Sequence, residues 1–377
     1  MNANDLIELR HRLHACAERS GEEHRTAQIL VSTLEGLRPD ELHTELGGYG
    51  VAAVFNSAQP GPTVLLRGDM DALPQPDSEL AWRSTDPATA HKCGHDGHMT
   101  ILMGVAASLS ATRPPNGRVV LLFQPAEETG QGAKRVLEDP RFAPLVPDRV
   151  LALHNLPGEE LGTCVIRDGV FCSASRGLTV RLRGRPSHAA EPHAGRSPVL
   201  ALAALAQAYS AIPQVATAFE AAAQVTVVGM RAGGPHFGTS PGDGELYATC
   251  RAHADDDLAR LADRCRELGR GIAAAHGVDV EFEVCDEFPA TNNDPGVVEV
   301  VDRAARSRGL TVRRLAHPIA WSEDFGHFTA RAPGALFGLG SGLDQPNLHH
   351  ADYDFPDSLI EIGAGLFLAA LPELLGG

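Results

Sequence analysis

The chain has 377 residues, 43% hydrophobic and 21% charged, so it is longer than one core usually grows and two domains are expected. Lys and Arg total 32 against 48 Asp and Glu, a formal net charge of -16, which repels phosphate backbones and anionic lipid surfaces and sets aside nucleic acid and membranes as partners. No apolar run of about 18 residues occurs and the amino terminus has no signal-peptide core; seven scattered cysteines without CxxC spacing fit a reducing, cytoplasmic location.

Helical spacing covers residues 4–17 (Leu6, Leu9, Leu13) and 22–37 (Ile29, Leu30, Leu34), with Gly21 as the break. Two β-type runs follow, Val51 to Phe55 and Thr63 to Leu66, and the second leads into Asp69-Met70-Asp71-Ala72-Leu73-Pro74. Carboxylates just beyond a buried strand stand where open α/β sheets place their sites. Next comes His91-Lys92-Cys93-Gly94-His95-Asp96-Gly97-His98, a dense supply of thiolate, imidazole and carboxylate donors suited to one metal or two adjacent ones. Residues 99–109 read as a buried helix.

The apolar strand from Arg118 to Phe123 is followed by Gln124-Pro125-Ala126-Glu127-Glu128, and the strand from Arg149 to Leu153 by His154-Asn155. Adjacent acids after an interior strand are costly unless paired or bound to a cation. Each stretch alone has an ordinary structural reading: a polar loop, a helix amino terminus carrying Glu127 and Glu128, a hydrogen-bonded His154. Three strands in turn deliver polar groups to the same kind of position, and that repetition points to a site.

From about residue 176 the pattern becomes β-α-β-β-α-β: alternation at Leu178, Val180 and Leu182, an Ala/Leu helix over 197–212, strands at 225–230 and 246–250, a helix over 255–276 and alternation at Val280, Phe282 and Val284. This predicts an inserted α+β domain over 176–287 within an α/β domain formed by 1–175 and 288–377. The larger domain resumes with a helix over 295–308, Trp321-Ser322-Glu323-Asp324-Phe325, a strand at 335–339, Leu348-His349-His350 and a terminal helix from about 356. Gly340-Ser341-Gly342 lacks both the GxGxxG frame and a nucleophile elbow.

Taken in order, Asp69 to Pro74, Cys93 to His98, Gln124 to Glu128, Ser322 to Phe325 and Leu348 to His350 resemble the amidohydrolase branch of the aminoacylase and carboxypeptidase-like dinuclear metallopeptidases, which includes hippurate hydrolases, N-acetyl-diaminopimelate deacetylases and auxin-conjugate hydrolases. The resemblance implies a zinc-peptidase-like catalytic domain with an inserted ferredoxin-like lid that also serves dimerisation. It implies two divalent metal ions, Zn²⁺ first with Mn²⁺, Co²⁺ or Ni²⁺ open, on Cys93, His95, Glu128, His154 and His349. Glu127 falls at the general base and Asp71 at the acid that orients a metal ligand. His188, with His193 second, falls at a lid imidazole that stabilises the oxyanion from the partner subunit of a homodimer.

Relatives carry an Asn in the lid where this chain has Gly238, within Gly233-Gly234-Pro235-His236-Phe237-Gly238-Thr239. His193, His236 and Thr239 are therefore expected to share in substrate recognition, and Arg251 matches a position that meets a substrate carboxylate, a solvated strand Arg being the other reading. The expected reaction is hydrolysis of an N-acyl amino acid or similar small amide. A dipeptidase or carboxypeptidase-like activity is the alternative, and a non-catalytic binding protein is disfavoured because no expected base or ligand is missing.

Overall fold

The computed structural model describes residues Met1–Gly376. In chain order the strands used below are β1 (Glu41–Leu46), β2 (Gly50–Asn56), β3 (Thr63–Asp69), β4 (Arg118–Gln124), β5 (Arg149–Pro157), β6 (Cys164–Ile166), β7 (Ala174–Arg183), β8 (Gln224–Ala232), β9 (Asp243–Ala252), β10 (Asp279–Phe288), β11 (Val312–Arg314) and β12 (Gly334–Gly342). The helices are α1 (Ala3–Ala15), α2 (His24–Leu37), α3 (His95–Ala111), α4 (Val199–Ala211), α5 (Asp255–His276), α6 (Pro295–Ser307) and α7 (Ser358–Leu374). The chain divides into two compact units, Met1–Phe171 with Thr291–Pro318 and Glu323–Gly377, and Cys172–Ala290 with Ile319–Ser322.

The larger unit is built on an eight-stranded mixed sheet of order β1-β2-β4-β3-β5-β12-β6-β11. Its centre is parallel: β3 pairs in parallel with β4 and β5, and β12 with β5. Central strands buried on both faces read as continuous apolar runs, which is why β2 to β5 were legible. Strand β1 (ELHTEL) pairs only with β2 at the sheet edge and is half exposed, so it carries no such run and the sequence did not announce it. Strand β5 extends past Leu153 to Pro157, in register His154↔Gly338 and Asn155↔Leu339, so His154 and Asn155 are held by the sheet ladder.

Helix α3 begins at His95 and is buried nearly all round from there to Ala106, as an interior helix should be. It starts four residues before the apolar stretch that announced it, so the metal-donor motif is half loop and half helix. Gly94 caps it at φ 94°, and a Cβ there would stand 2.6 Å from the Asn155 side chain. Helices α1, α3, α6 and α7 bury Leu9, Leu13, Leu102, Val301, Leu366 and Phe367 in one core with the sheet.

The smaller unit has four antiparallel strands in the order β8-β9-β7-β10 with α4 and α5. Connection order and sheet order together are those of a ferredoxin-like fold. Among the described residues no helix is long and apolar enough to cross a membrane.

Candidate active site

The polar ends of β3, β4 and β5 and the first turn of α3 bring the candidate donors of the larger unit together. Cys93 Sγ lies 3.5 Å from His154 Nε2. His154 Nδ1 faces the Asn155 carbonyl at 2.9 Å, and His95 Nδ1 faces the Asp71 carbonyl at 2.9 Å and Asp71 Oδ1 at 3.3 Å. Each ring therefore spends Nδ1 on the protein and directs Nε2 to the cluster, the arrangement that fixes tautomer and ring orientation in metal sites. His95 Nε2 stands 3.9 Å from Glu128 Oε1, and His349 Nε2 3.7 Å from the same oxygen.

Three overlapping groups, Cys93-His95-His154, Cys93-Glu128-His349 and His95-Glu127-Glu128, each place their donor atoms within 4.8 Å of one another. His95 Nε2 and Glu128 Oε1 are buried without a hydrogen-bond partner. Orphaned metal-donor atoms of this kind, one from the first turn of α3 and one from the turn after β4, fit a bound cation.

Electrostatics give the same answer. Burial, then the neighbouring Glu323 and Glu128 carboxyls, push Glu127 well above the usual carboxylate range. Burial likewise raises Glu128 to about 7 against the opposing pull of His95, and Asp324 to about 8 against that of Arg67. Burial and the Glu128 charge hold the Cys93 thiol well above its ordinary value. So many acids in one buried place are unfavourable as anions unless a cation joins them, and a thiolate forms readily only beside one.

Glu127 and Glu128 lie in the turn after β4 and not at a helix amino terminus; the next helix begins at Gly132. The turn is shaped from below. Glu23 Oε1 accepts the Ala126 N–H at 2.8 Å, holding Ala126 at φ 53°, a conformation uncommon outside glycine. Asp71 Oδ2 accepts the Glu128 N–H at 3.0 Å and the Ser20 hydroxyl at 2.6 Å. Asp71 thus braces His95 and Glu128 at once. The Asp324 N–H donates to Glu127 Oε1 at 3.3 Å.

Sequence reading gave no role to Arg67 beneath the site and offered Asp69 and His98 only as possible donors. Arg67, wholly buried, donates to Gln124 Oε1 (2.9 Å), Asp69 Oδ2 (2.6 Å), Glu323 Oε1 (2.9 Å) and Asp324 Oδ1 (2.8 Å). His98 bridges Asp69 Oδ1 at 2.6 Å and Asn155 Oδ1 at 2.5 Å, and the Asn155 amide donates to the Tyr353 hydroxyl at 2.5 Å. One local signal existed: an Arg and an Asp inside an otherwise apolar strand need buried partners.

The remaining expected residues belong to the smaller unit. His188 pairs with Thr239 in a short two-stranded ladder and its Nδ1 accepts the Ala190 N–H at 3.1 Å. His193 is exposed on the single 3₁₀ turn Pro192–Ala194 and His236 on a loop. Arg251 is partly buried and donates to the Ala320 carbonyl at 2.7 Å and the Ser322 hydroxyl at 2.6 Å.

The profile of peptidase family M20/M25/M40 matches residues 65–373. The chain belongs to this family. It is 30% identical over 358 residues to an N-acetyldiaminopimelate deacetylase of Enterococcus faecalis, covering 93% of this chain and 92% of the relative. It is 29% identical over 350 residues to the N-acetyldiaminopimelate deacetylase of Listeria monocytogenes serovar 1/2a, covering 92% and 93%. Its fold superposes with a TM-score of 0.82 on the Bacillus subtilis YXEP protein, described as a dinuclear metal-binding peptidase of the M20 family, at 24% identity over 99% of this chain and 98% of that one. The family membership and the two deacetylase relatives make the chain a hydrolase acting on amides.

Proposed function

We propose that this M20 enzyme hydrolyses the amide of an N-acyl amino acid, releasing a carboxylate and a free amine, and that it acts as a cytoplasmic homodimer. The observation that carries the site assignment is the convergence of Cys93, His95, His154, Glu128 and His349 around orphaned donor atoms, with Glu127 beside them. These five residues would hold two divalent cations, Zn²⁺ first and Mn²⁺, Co²⁺ or Ni²⁺ as alternatives, which when bound supply Lewis acidity and a water nucleophile at neutral pH.

Glu127 takes the proton of the attacking water on a carboxylate oxygen and returns it to the departing amine nitrogen. The Asp324 N–H steadies that carboxylate. Asp71 orients His95. His188, with His193 second, stabilises the developing oxyanion from the partner's lid; Arg251 meets the substrate carboxylate and His236 the rest of the amino acid. The deacetylase names of the relatives support an acylated amino acid over an unblocked peptide.

The test is a panel of acetyl, benzoyl, long-chain and indoleacetyl amino acids alongside plain dipeptides, with protein stripped of metal and reloaded with Zn²⁺, Mn²⁺ or Co²⁺. Metal-dependent cleavage confined to N-acyl substrates is expected. Faster cleavage of dipeptides with a free amine would replace this reading with a dipeptidase.

A further inference from the structure

Lys92 and Lys134 are the only lysines among 32 basic residues, and Lys92 has no exposed surface. Its ammonium faces three oxygens, Asp77 Oδ1 at 2.5 Å, Ser78 Oγ at 3.0 Å and the Tyr353 carbonyl at 2.9 Å. Three acceptors use all three N–H groups of an ammonium. No proton is left for a substrate, so Lys92 takes no part in the chemistry and its work is positional.

The residue grips the turn that carries His349 at both ends. Its own carbonyl accepts the His349 N–H at 2.8 Å, while its ammonium holds the Tyr353 carbonyl four residues on. His349 sits at φ 64°, a left-handed backbone that persists in a non-glycine residue only where the surroundings hold it. The residue after Lys92 is Cys93. Asp77, the counter-charge, also faces His14 Nε2 at 3.1 Å and accepts the Ser84 N–H at 2.7 Å. His14 Nδ1 in turn lies 2.8 Å from Asp96 Oδ2, next to His95.

The geometry points to Lys92 as a positioning residue that ties the two chain segments of the candidate metal centre together, fixing His349 against Cys93. This rests on the metal-centre reading above. A compact ammonium on a thin stem suits a tripod of oxygens, whereas a guanidinium fork does not, which accounts for a buried lysine in a chain where all but two of the 32 basic residues are arginine.

The experiment is Co²⁺ titration of metal-free wild type, Lys92→Met, Lys92→Met/Asp77→Asn and His349→Ala, read by competition with a chelator and by the thiolate-to-cobalt absorption that reports Cys93, with thermal melting of each metal-free protein. Wild type is expected to bind two Co²⁺. Both Lys92 variants are expected to bind the weaker ion at least tenfold more loosely with the thiolate band retained, and the double variant separates loss of the ammonium from the charge of Asp77, whose ionic partner among the described residues in Lys92→Met is His14 alone. If Lys92→Met alone does not fold, the double variant carries the comparison. Wild-type affinity for both ions in the Lys92 variants, with only the melting temperature lowered, overturns the positioning role while leaving the metal centre intact. Undiminished binding by His349→Ala instead removes His349 from the centre, and the role of Lys92 with it.

Discussion

Burial beside Glu323, Glu128 and Asp324 raises the proton affinity of the Glu127 carboxylate, and Glu127 is placed there by a turn whose shape Glu23 and Asp71 enforce. Glu127→Gln keeps the shape and the hydrogen bond from Asp324 but cannot carry the proton. Turnover is expected to fall about 10²–10⁴-fold with metal content unchanged by elemental analysis; near-normal turnover would displace Glu127 as the base. Arg67 answers a different need. Arg67→Met strands Asp69, Glu323 and Asp324 in the interior without their cation, and loss of one partner of a buried ionic cluster costs about 3–5 kcal/mol. Urea unfolding of the metal-free protein checks this, and an unchanged midpoint would mean that the acid cluster does not depend on Arg67 for its stability.

Among the elements, α1 is tied down by charge as much as by its apolar stripe. Arg10 donates to Asp96, Asp354 and Asp357, and His14 bridges Asp96 and Asp77. Burial alone would depress the His14 imidazolium, but the hydrogen bonds to Asp77 and Asp96 outweigh it and push His14 up to about 9. A folded-state value raised above the unfolded one stabilises the fold fully below about 6.5 and is lost as pH rises through about 9. Wild type is therefore expected to lose on the order of 3 kcal/mol between pH 6 and 10 that His14→Asn does not lose. Thermal midpoints of the two proteins across that range decide the matter: parallel profiles would show His14 to be neutral. On the acid side Asp96 is held well below the usual range, burial being outweighed by the hydrogen bond and charge of His14 and the charge of Arg10, so its contribution is present at neutral pH and fades as pH falls below about 4.

For the molecule as a whole, cations that bind the folded chain and not the unfolded one stabilise it by mass action, about 2.7 kcal/mol for one site at a hundred times its dissociation constant. Chelation is expected to lower the melting temperature, and restoring Zn²⁺ to raise it again; a melting curve indifferent to chelator would argue against a metal centre in the fold. Much of this architecture was legible because its signals are local. Apolar strands ending in acids or His, and period-two and helical alternation in the smaller unit, are written within windows of ten residues. The exposed edge strand β1 and the three-residue β6 and β11 carry no such pattern. Arg67 lay in plain sight without a role, and Asp69 and His98 only as possible site donors, because their partners are distant in the chain: Gln124 is 57 residues from Arg67 and Glu323 is 256.

The burial of Lys92 has a practical consequence. Lys134 is exposed on the short helix Gly132–Glu138, so an amine-acylating reagent meets one accessible lysine and the α-amino group of Met1, while Lys92 reacts only when the segments around it part. The rate at which that one hidden amine becomes labelled, read by mass spectrometry with and without Zn²⁺, is a native stopwatch for the opening of the site.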